Sequence, residues 1–294
     1  MSQELAAVYE ELSRLKEAGM ERVAVAPETL EQIKALQGTV APADARTETN
    51  TPHREKAKAT EPEAAKVETP PETAFPDAPV IQLPKGDRTQ QMEALRQIVE
   101  ACETCKAHLG DHDRVVFGTG SVDADIFFCG EAPGADEARA GEPFVGAAGQ
   151  LLTKIITAMG LSRETVYIAN ILKWRPEHDQ PYGNRPPTVE EMRFCMPYLK
   201  AQIEIVKPKV LIALGNTAVT GLLGHDPKRR MGAVRGKWHQ CEGIDLMITF
   251  HPAYLLRNDT VKTKRTVWED MLEVMRKTGM EISEQQERYF LPKE

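Results

Sequence analysis

Four short apolar runs, at residues 125–129, 165–170, 210–214 and 246–250, alternate with segments of helical periodicity at 149–159, 189–206 and 217–223, and a further helical pattern at 266–277 closes the series. This alternation limits the fold more than any other feature of the chain. Strands joined through helices pair in parallel, and a parallel sheet has to be covered on its faces by those helices. The expected class is therefore α/β, with a helix-flanked, mainly parallel sheet. Ligands of such sheets collect at the carboxyl ends of the strands. At those ends stand Glu131, Asn170, the pair Gly215-Asn216, and His251 followed by Pro252.

The chain ahead of this pattern is of a different kind. Residues 1–37 carry apolar positions at helical spacing (Leu5, Val8, Tyr9, Leu12, Leu15) and read as an amphipathic helical segment. Residues 38–88 are dominated by Ala, Pro, Glu, Thr and Lys; so few large apolar side chains cannot offset chain entropy, and the segment reads as a disordered linker. A domain over 89–280 and a tail over 281–294 complete the expected organisation. A helix from about Thr89 delivers Cys102 and Cys105 at its end. The net charge is −7, but residues 1–88 hold 11 basic and 16 acidic side chains, so the remainder is nearly neutral. Within that remainder Lys228, Arg229, Arg230, Arg235 and Lys237 form one basic cluster, and Arg257, Lys262, Lys264 and Arg265 another, which leaves room for a nucleic-acid-binding face. No apolar stretch is long enough to span a membrane and no secretion signal opens the chain, so a cytoplasmic, monomeric protein is expected. Five cysteines without a secretion signal point to thiols or metal ligands rather than to a disulfide framework.

The first apolar run leaves through GEAPGADEARAGEPFVG, residues 130–146, far longer than an ordinary strand-to-helix turn. Its glycines and alanines admit backbone amides close to a ligand, and Glu131 and Glu137 offer carboxylates that can orient a water molecule; a tight turn with solvated acids is the plain alternative. Phe144 is either a ring that stacks on a flat heteroaromatic substrate or a staple onto the following helix. Asn170 has the donor and acceptor needed to read a nucleobase edge, although a helix cap is the commoner role for such a residue. His251, fixed by Pro252, is suited to donate a hydrogen bond to developing negative charge, while a lone histidine is more often structural.

Together the segments GEAPGADE (130–137), GEPFVGAAGQLL (141–152), VYIANILKWRP (166–176), NRPPTVEEM (184–192), PKVLIALG (208–215) and HPAYLLR (251–257) resemble the family 4 uracil-DNA glycosylases, in order and with comparable spacing from about residue 100 to 277. The resemblance implies a three-layer α/β/α sandwich and hydrolysis of the N-glycosidic bond of deoxyuridine in DNA, the first step of base excision repair. It also implies roles. Glu131 and the amides around Ala132 would hold the attacking water, with Glu137 in the same loop; Phe144 would stack on the extruded uracil; Asn170 would read its pairing edge; and His251 would stabilise the departing anion. Tyr254, Leu255, Leu256 and Arg257 would form the wedge into DNA.

The family's four-iron four-sulfur cluster rests on four cysteines. Cys102, Cys105 and Cys195 match three of them, and the fourth position reads Trp174, in Lys173-Trp174-Arg175-Pro176. Three outcomes stand open at this point. Another ligand, such as His178 or Cys241, completes a cluster; the cluster is lost and Trp174 packs into its volume; or a different metal such as zinc binds the thiolates. Residues 177–182 are an insertion relative to the family, and a related branch carries hereabouts a histidine that bonds covalently to the deoxyribose. His178 is the candidate for that variant. A uracil-DNA-binding or crosslinking protein without turnover is the alternative to an enzyme. The N-terminal arm is a candidate for recruiting a protein partner, or else a solubilising extension.

Overall fold

The computed structural model describes residues 75–176 and 185–292. The expected N-terminal helix, most of the expected linker, and the 177–182 insertion with His178 lie outside the described residues.

The four apolar runs form β2 (Ile126–Gly130), β3 (Tyr167–Asn170), β4 (Val210–Leu214) and β6 (Ile244–Thr249), all mutually parallel where they pair. Two short strands that the sequence did not announce, β1 (Thr119–Gly120) and β5 (Trp238–Cys241), add antiparallel edges and give the order β1-β3-β2-β4-β6-β5. Every residue of β2, β3 and β4 is buried, which is why these strands read as unbroken apolar runs rather than as alternating ones.

Alternate residues of the central strands feed two cores. Phe127, Cys129, Leu211, Ala213, Leu246 and Ile248 join one cluster with residues of α1 (Arg88–Ala101), α5 (Val189–Val206) and α6 (Gly215–Leu223). Ile126, Phe128, Ile168, Val210, Ile212 and Met247 join another with residues of α4 (Ala147–Ala158) and α9 (Val261–Thr278). Two cores on opposite strand faces make this the expected three-layer α/β/α arrangement. The remaining helices are short: α2 (Glu103–Ala107), α3 (Ala135–Ala140), α7 (Met231–Val234), α8 (Pro252–Arg257) and α10 (Glu284–Glu287). Helix α5 begins at a capping box in which Thr188 and Glu191 satisfy each other's backbone amides. Arg185 grips the same glutamate with both guanidinium nitrogens at 2.7 and 2.6 Å, which explains the NRPPTVEE pattern.

Packed chain starts earlier and ends later than expected. Residues 75–87 form no helix or strand, yet Phe75, Ile81 and Leu83 pack against the first core, so the linker reading fails over this stretch. Three apolar side chains in an otherwise Pro-rich segment suffice to dock it. At the other end, the Trp268 indole donates to the Gln286 carbonyl (2.6 Å), and Tyr289 packs on the Trp268 ring, so the expected tail belongs to the domain.

One ion pair closes the β6 side. Asp270 of α9 is buried and accepts from Arg235 and from the Thr249 hydroxyl (2.6 Å). Arg235 is therefore committed to the fold rather than to a basic surface, and Arg265 and Lys264 are likewise paired, with Glu269 and Asp259. Removing one partner of a buried pair strands the other charge at a cost of about 3 kcal/mol or more. Arg235→Ala should lower the unfolding free energy by about that amount in urea titration; an unchanged midpoint would remove this pair from the fold's supports.

Candidate active site

The parallel register sets Gly130 beside Asn170 at the carboxyl ends of β2 and β3. The loop that follows Gly130 is then folded back on itself by Glu137. This side chain, expected as a second water-orienting carboxylate, has both oxygens engaged by backbone: one accepts from the Val145 and Gly146 amides (3.0 and 2.9 Å), the other from the Gly134 amide (3.1 Å). Both oxygens thus hold the loop, and Glu137 is not among the residues that line the cleft shared by Glu131 and His251. Arg163, which sequence reasoning missed, grips the same loop from β3's side, donating to the Phe144 and Pro143 carbonyls (3.0 and 2.6 Å).

Phe144 is clamped between these contacts at φ 56°, a left-handed conformation unusual for an aromatic residue. Gly149 permits it, since a Cβ there would lie 1.9 Å from the Phe144 carbonyl. Gly130 permits the next approach: a Cβ on it would meet the Asn170 Oδ1 at 2.3 Å and the Phe144 ring at 2.4 Å. The Phe144 ring in turn lies 5.7 Å from the His251 ring, centroid to centroid. Glu131, Phe144, Asn170 and His251, distant in sequence, thus gather around Gly130.

They do not all face the same space. Glu131, Ala132 and His251 line a cleft of about 500 Å³, together with Thr217, Met231 and Arg257, a size suited to a small-molecule or nucleotide ligand. Phe144 and Asn170 are 5 % and 1 % exposed and are not part of its lining. Asn170 Oδ1 has no hydrogen-bond partner, an arrangement that costs about 1–3 kcal/mol until a donor meets it. The residue is held from behind by Lys173, a fully buried lysine whose ammonium donates to the Asn170 and Phe117 carbonyls (3.0 and 3.2 Å) and to Gln202 (2.8 Å). Burial pushes that ammonium down to about 8, although neighbouring thiols oppose the shift.

Burial also raises the Glu131 carboxyl above the usual carboxylate range, against the opposing effects of the Thr217 hydroxyl, which donates to it at 2.6 Å, and of the Arg257 charge. Thr217 is a second residue that sequence reasoning missed; only its place after the β4 end could have suggested it. His251 caps α8, its Nδ1 accepting from the Ala253 amide (3.1 Å), so the proton of the neutral ring is on Nε2. Burial, and secondarily the Arg257 charge, pushes the imidazole down to about 4. Of the expected wedge, Tyr254 and Leu256 are exposed and Arg257 lines the cleft, but Leu255 is buried. It is the inward face of α8 and cannot enter DNA.

The cysteines divide. Cys102, Cys105 and Cys195 are neighbours: Cys102 Sγ accepts from the Cys105 amide (3.4 Å), and burial, followed by the charges of Cys195 and Cys102, raises the Cys105 thiol. Cys241 donates to the Leu222 carbonyl (3.4 Å) on the β5 edge and Cys129 is enclosed in β2. Among the described residues no three His, Cys, Asp or Glu side chains are disposed to hold a metal ion.

A profile of the Uracil DNA glycosylase superfamily matches residues 117–272, more than half of the chain and all of the strand ends described above. The chain belongs to this superfamily. Among its curated relatives, a type-4 uracil-DNA glycosylase of Thermotoga maritima is 42 % identical over 187 residues, which span 63 % of this chain and 93 % of that protein. A type-4 uracil-DNA glycosylase of Archaeoglobus fulgidus is 40 % identical over 174 residues, 56 % of this chain and 84 % of its own length. A type-5 uracil-DNA glycosylase of Pyrobaculum aerophilum is more distant, at 27 % over 175 residues, 54 % of this chain and 73 % of that protein. In this superfamily member the neutral state of His251 is directly measurable. Its imidazole should titrate near 4 by NMR, so that it stays uncharged from pH 5.5 to 8 by roughly the full ordinary histidine range; titration near 6.5 would contradict the buried geometry.

Proposed function

We propose that this chain is a uracil-DNA glycosylase that hydrolyses the N-glycosidic bond of deoxyuridine flipped out of DNA. The observation that carries the reading is the cluster around Gly130: a carboxylate and a neutral histidine that line one cleft, with a clamped aromatic ring and a buried, unpaired amide oxygen packed next to them. Asn170 Oδ1 accepts the N3–H of uracil while its NH₂ donates to O4, a pattern that cytosine reverses. Phe144 stacks on the ring, returning about 1–3 kcal/mol against the few kcal/mol that extrusion costs.

As the C1′–N1 bond breaks, its electron pair moves onto uracil and negative charge grows on O2. His251 Nε2–H, neutral and fixed by its Nδ1 bond, donates there, which is worth about 3–4 kcal/mol. Glu131 orients the water whose oxygen forms the new bond to C1′ of the oxocarbenium-like sugar, and the water's proton passes to the carboxylate or to solvent. Thr217 positions Glu131. Tyr254 and Arg257 line the cleft and, with the exposed Leu256 on the same helix, meet the DNA. None of these steps needs iron. The cluster implied by the resemblance is not matched by the donor set, since Cys102, Cys105 and Cys195 supply three thiols and position 174 supplies an indole, which is no ligand for iron.

Two variants test the assignment by single-turnover release of uracil from a uracil-containing oligonucleotide. His251→Ala should slow the chemical step about 10²–10³-fold with little change in oligonucleotide affinity. Thr217→Val removes a bond that lowers the Glu131 carboxyl, so the acid limb of the pH–rate profile should move to higher pH, and Thr217→Ser should restore it. Parental rates for His251→Ala, or an unmoved profile for Thr217→Val, would overturn the respective role.

A further inference from the structure

The segments that carry the three matched cysteines are fastened to one another by a different device. Trp174 is fully buried, and its ring stacks on His108 at 4.7 Å and on Phe75 at 6.5 Å, with Phe194 tilted against it at 6.1 Å. His108 lies three residues after Cys105 at the end of α2, its ring fixed by a hydrogen bond from Nδ1 to the Thr104 carbonyl (2.8 Å). Phe194 directly precedes Cys195 on α5 and continues the array edge-on to Tyr198. Trp174 itself stands where the resemblance places the remaining cysteine. Phe75, which covers the stack, comes from chain ahead of the region matched to the superfamily.

We propose that in this chain the aromatic stack of Phe75, His108, Trp174 and Phe194 replaces an iron–sulfur cluster as the fastening between the CxxC segment, the β3–α5 connection and α5. A cluster joins its segments through four thiolates; the stack joins the same segments through the rings of His108, Trp174 and Phe194, with Phe75 covering them. His108, Trp174 and Phe194 lie within three residues of the matched positions, Phe75 covers them from outside, and the residue that cannot ligate iron is the centre. The Trp174 Nε1–H has no acceptor, so the indole is held by the faces of its neighbours and not by its polar atom.

The test uses the full chain, purified anaerobically and then incubated with ferrous iron, sulfide and thiol reductant. Iron and acid-labile sulfide are expected to stay far below one per chain. Trp174→Cys, which restores four thiols, is expected to take up about four iron atoms under the same treatment. Thermal melting provides a readout independent of iron. Trp174→Phe keeps the stack and deletes the unpaired N–H, and should melt within a few degrees of the parent, whereas Trp174→Ala should melt on the order of 10 °C lower. A parent chain that holds stoichiometric iron and sulfide would overturn the proposal, as would an iron-free Trp174→Cys protein or a Trp174→Ala protein that melts with the parent. None of these readouts depends on glycosylase activity.

Discussion

The site depends on one carboxylate whose two oxygens are both bound by the backbone of its own loop. Glu137 collects the amides of Gly134, Val145 and Gly146, and in doing so turns a long glycine-rich loop into a fixed wall. Without those bonds nothing local would hold Phe144 in a left-handed conformation, since an aromatic side chain prefers to leave it. With them, and with Arg163 on the opposite side, the ring is placed before any ligand arrives. Preorganisation of this kind spares the binding step the entropy of ordering a loop.

The same economy runs through the other strand ends. The Asn170 backbone is locked by register to Gly130 and, through its carbonyl, by Lys173, which fixes the point from which its side chain projects. His251 is locked by Pro252 and by the Ala253 amide. A buried ammonium is a costly feature for a fold of this size, and here it is compensated by bonds to the Asn170 and Phe117 carbonyls and to Gln202. On the side of Cys102 and Cys105, the same buried Lys173 stands next to Trp174 and interacts with Cys105 and Cys195, so the proposed aromatic stack adjoins the support of Asn170.

Much of this was legible in the chain itself. The fully buried parallel strands announced themselves as apolar runs, and 210–214 and 189–206 match the observed β4 and α5 end to end. The approach of Glu131, Asn170 and His251 followed from their common place at strand ends, whereas Phe144 was marked only as an aromatic ring within the long loop. What spacing could not give was direction. Glu137 and Glu131 are chemically alike and six residues apart, yet one faces the loop's amides and the other the cleft. Leu255 and Leu256 are adjacent, and helical geometry buries one and exposes the other. Thr217, Arg163 and Lys173 act through bonds to residues 86, 19 and 3 positions away, and no local pattern marks such partners. The docking of Phe75 was hidden by the composition around it, which is that of a linker.

The central claim is that this cleft cuts the bond between uracil and deoxyribose. The most direct measurement is chromatographic detection of free uracil after incubating the full chain with an excess of uracil-containing single-stranded oligonucleotide. The account predicts many equivalents of uracil per protein and an abasic product. An oligonucleotide that is bound yet left intact, or a stoichiometric adduct that survives denaturation, would contradict it.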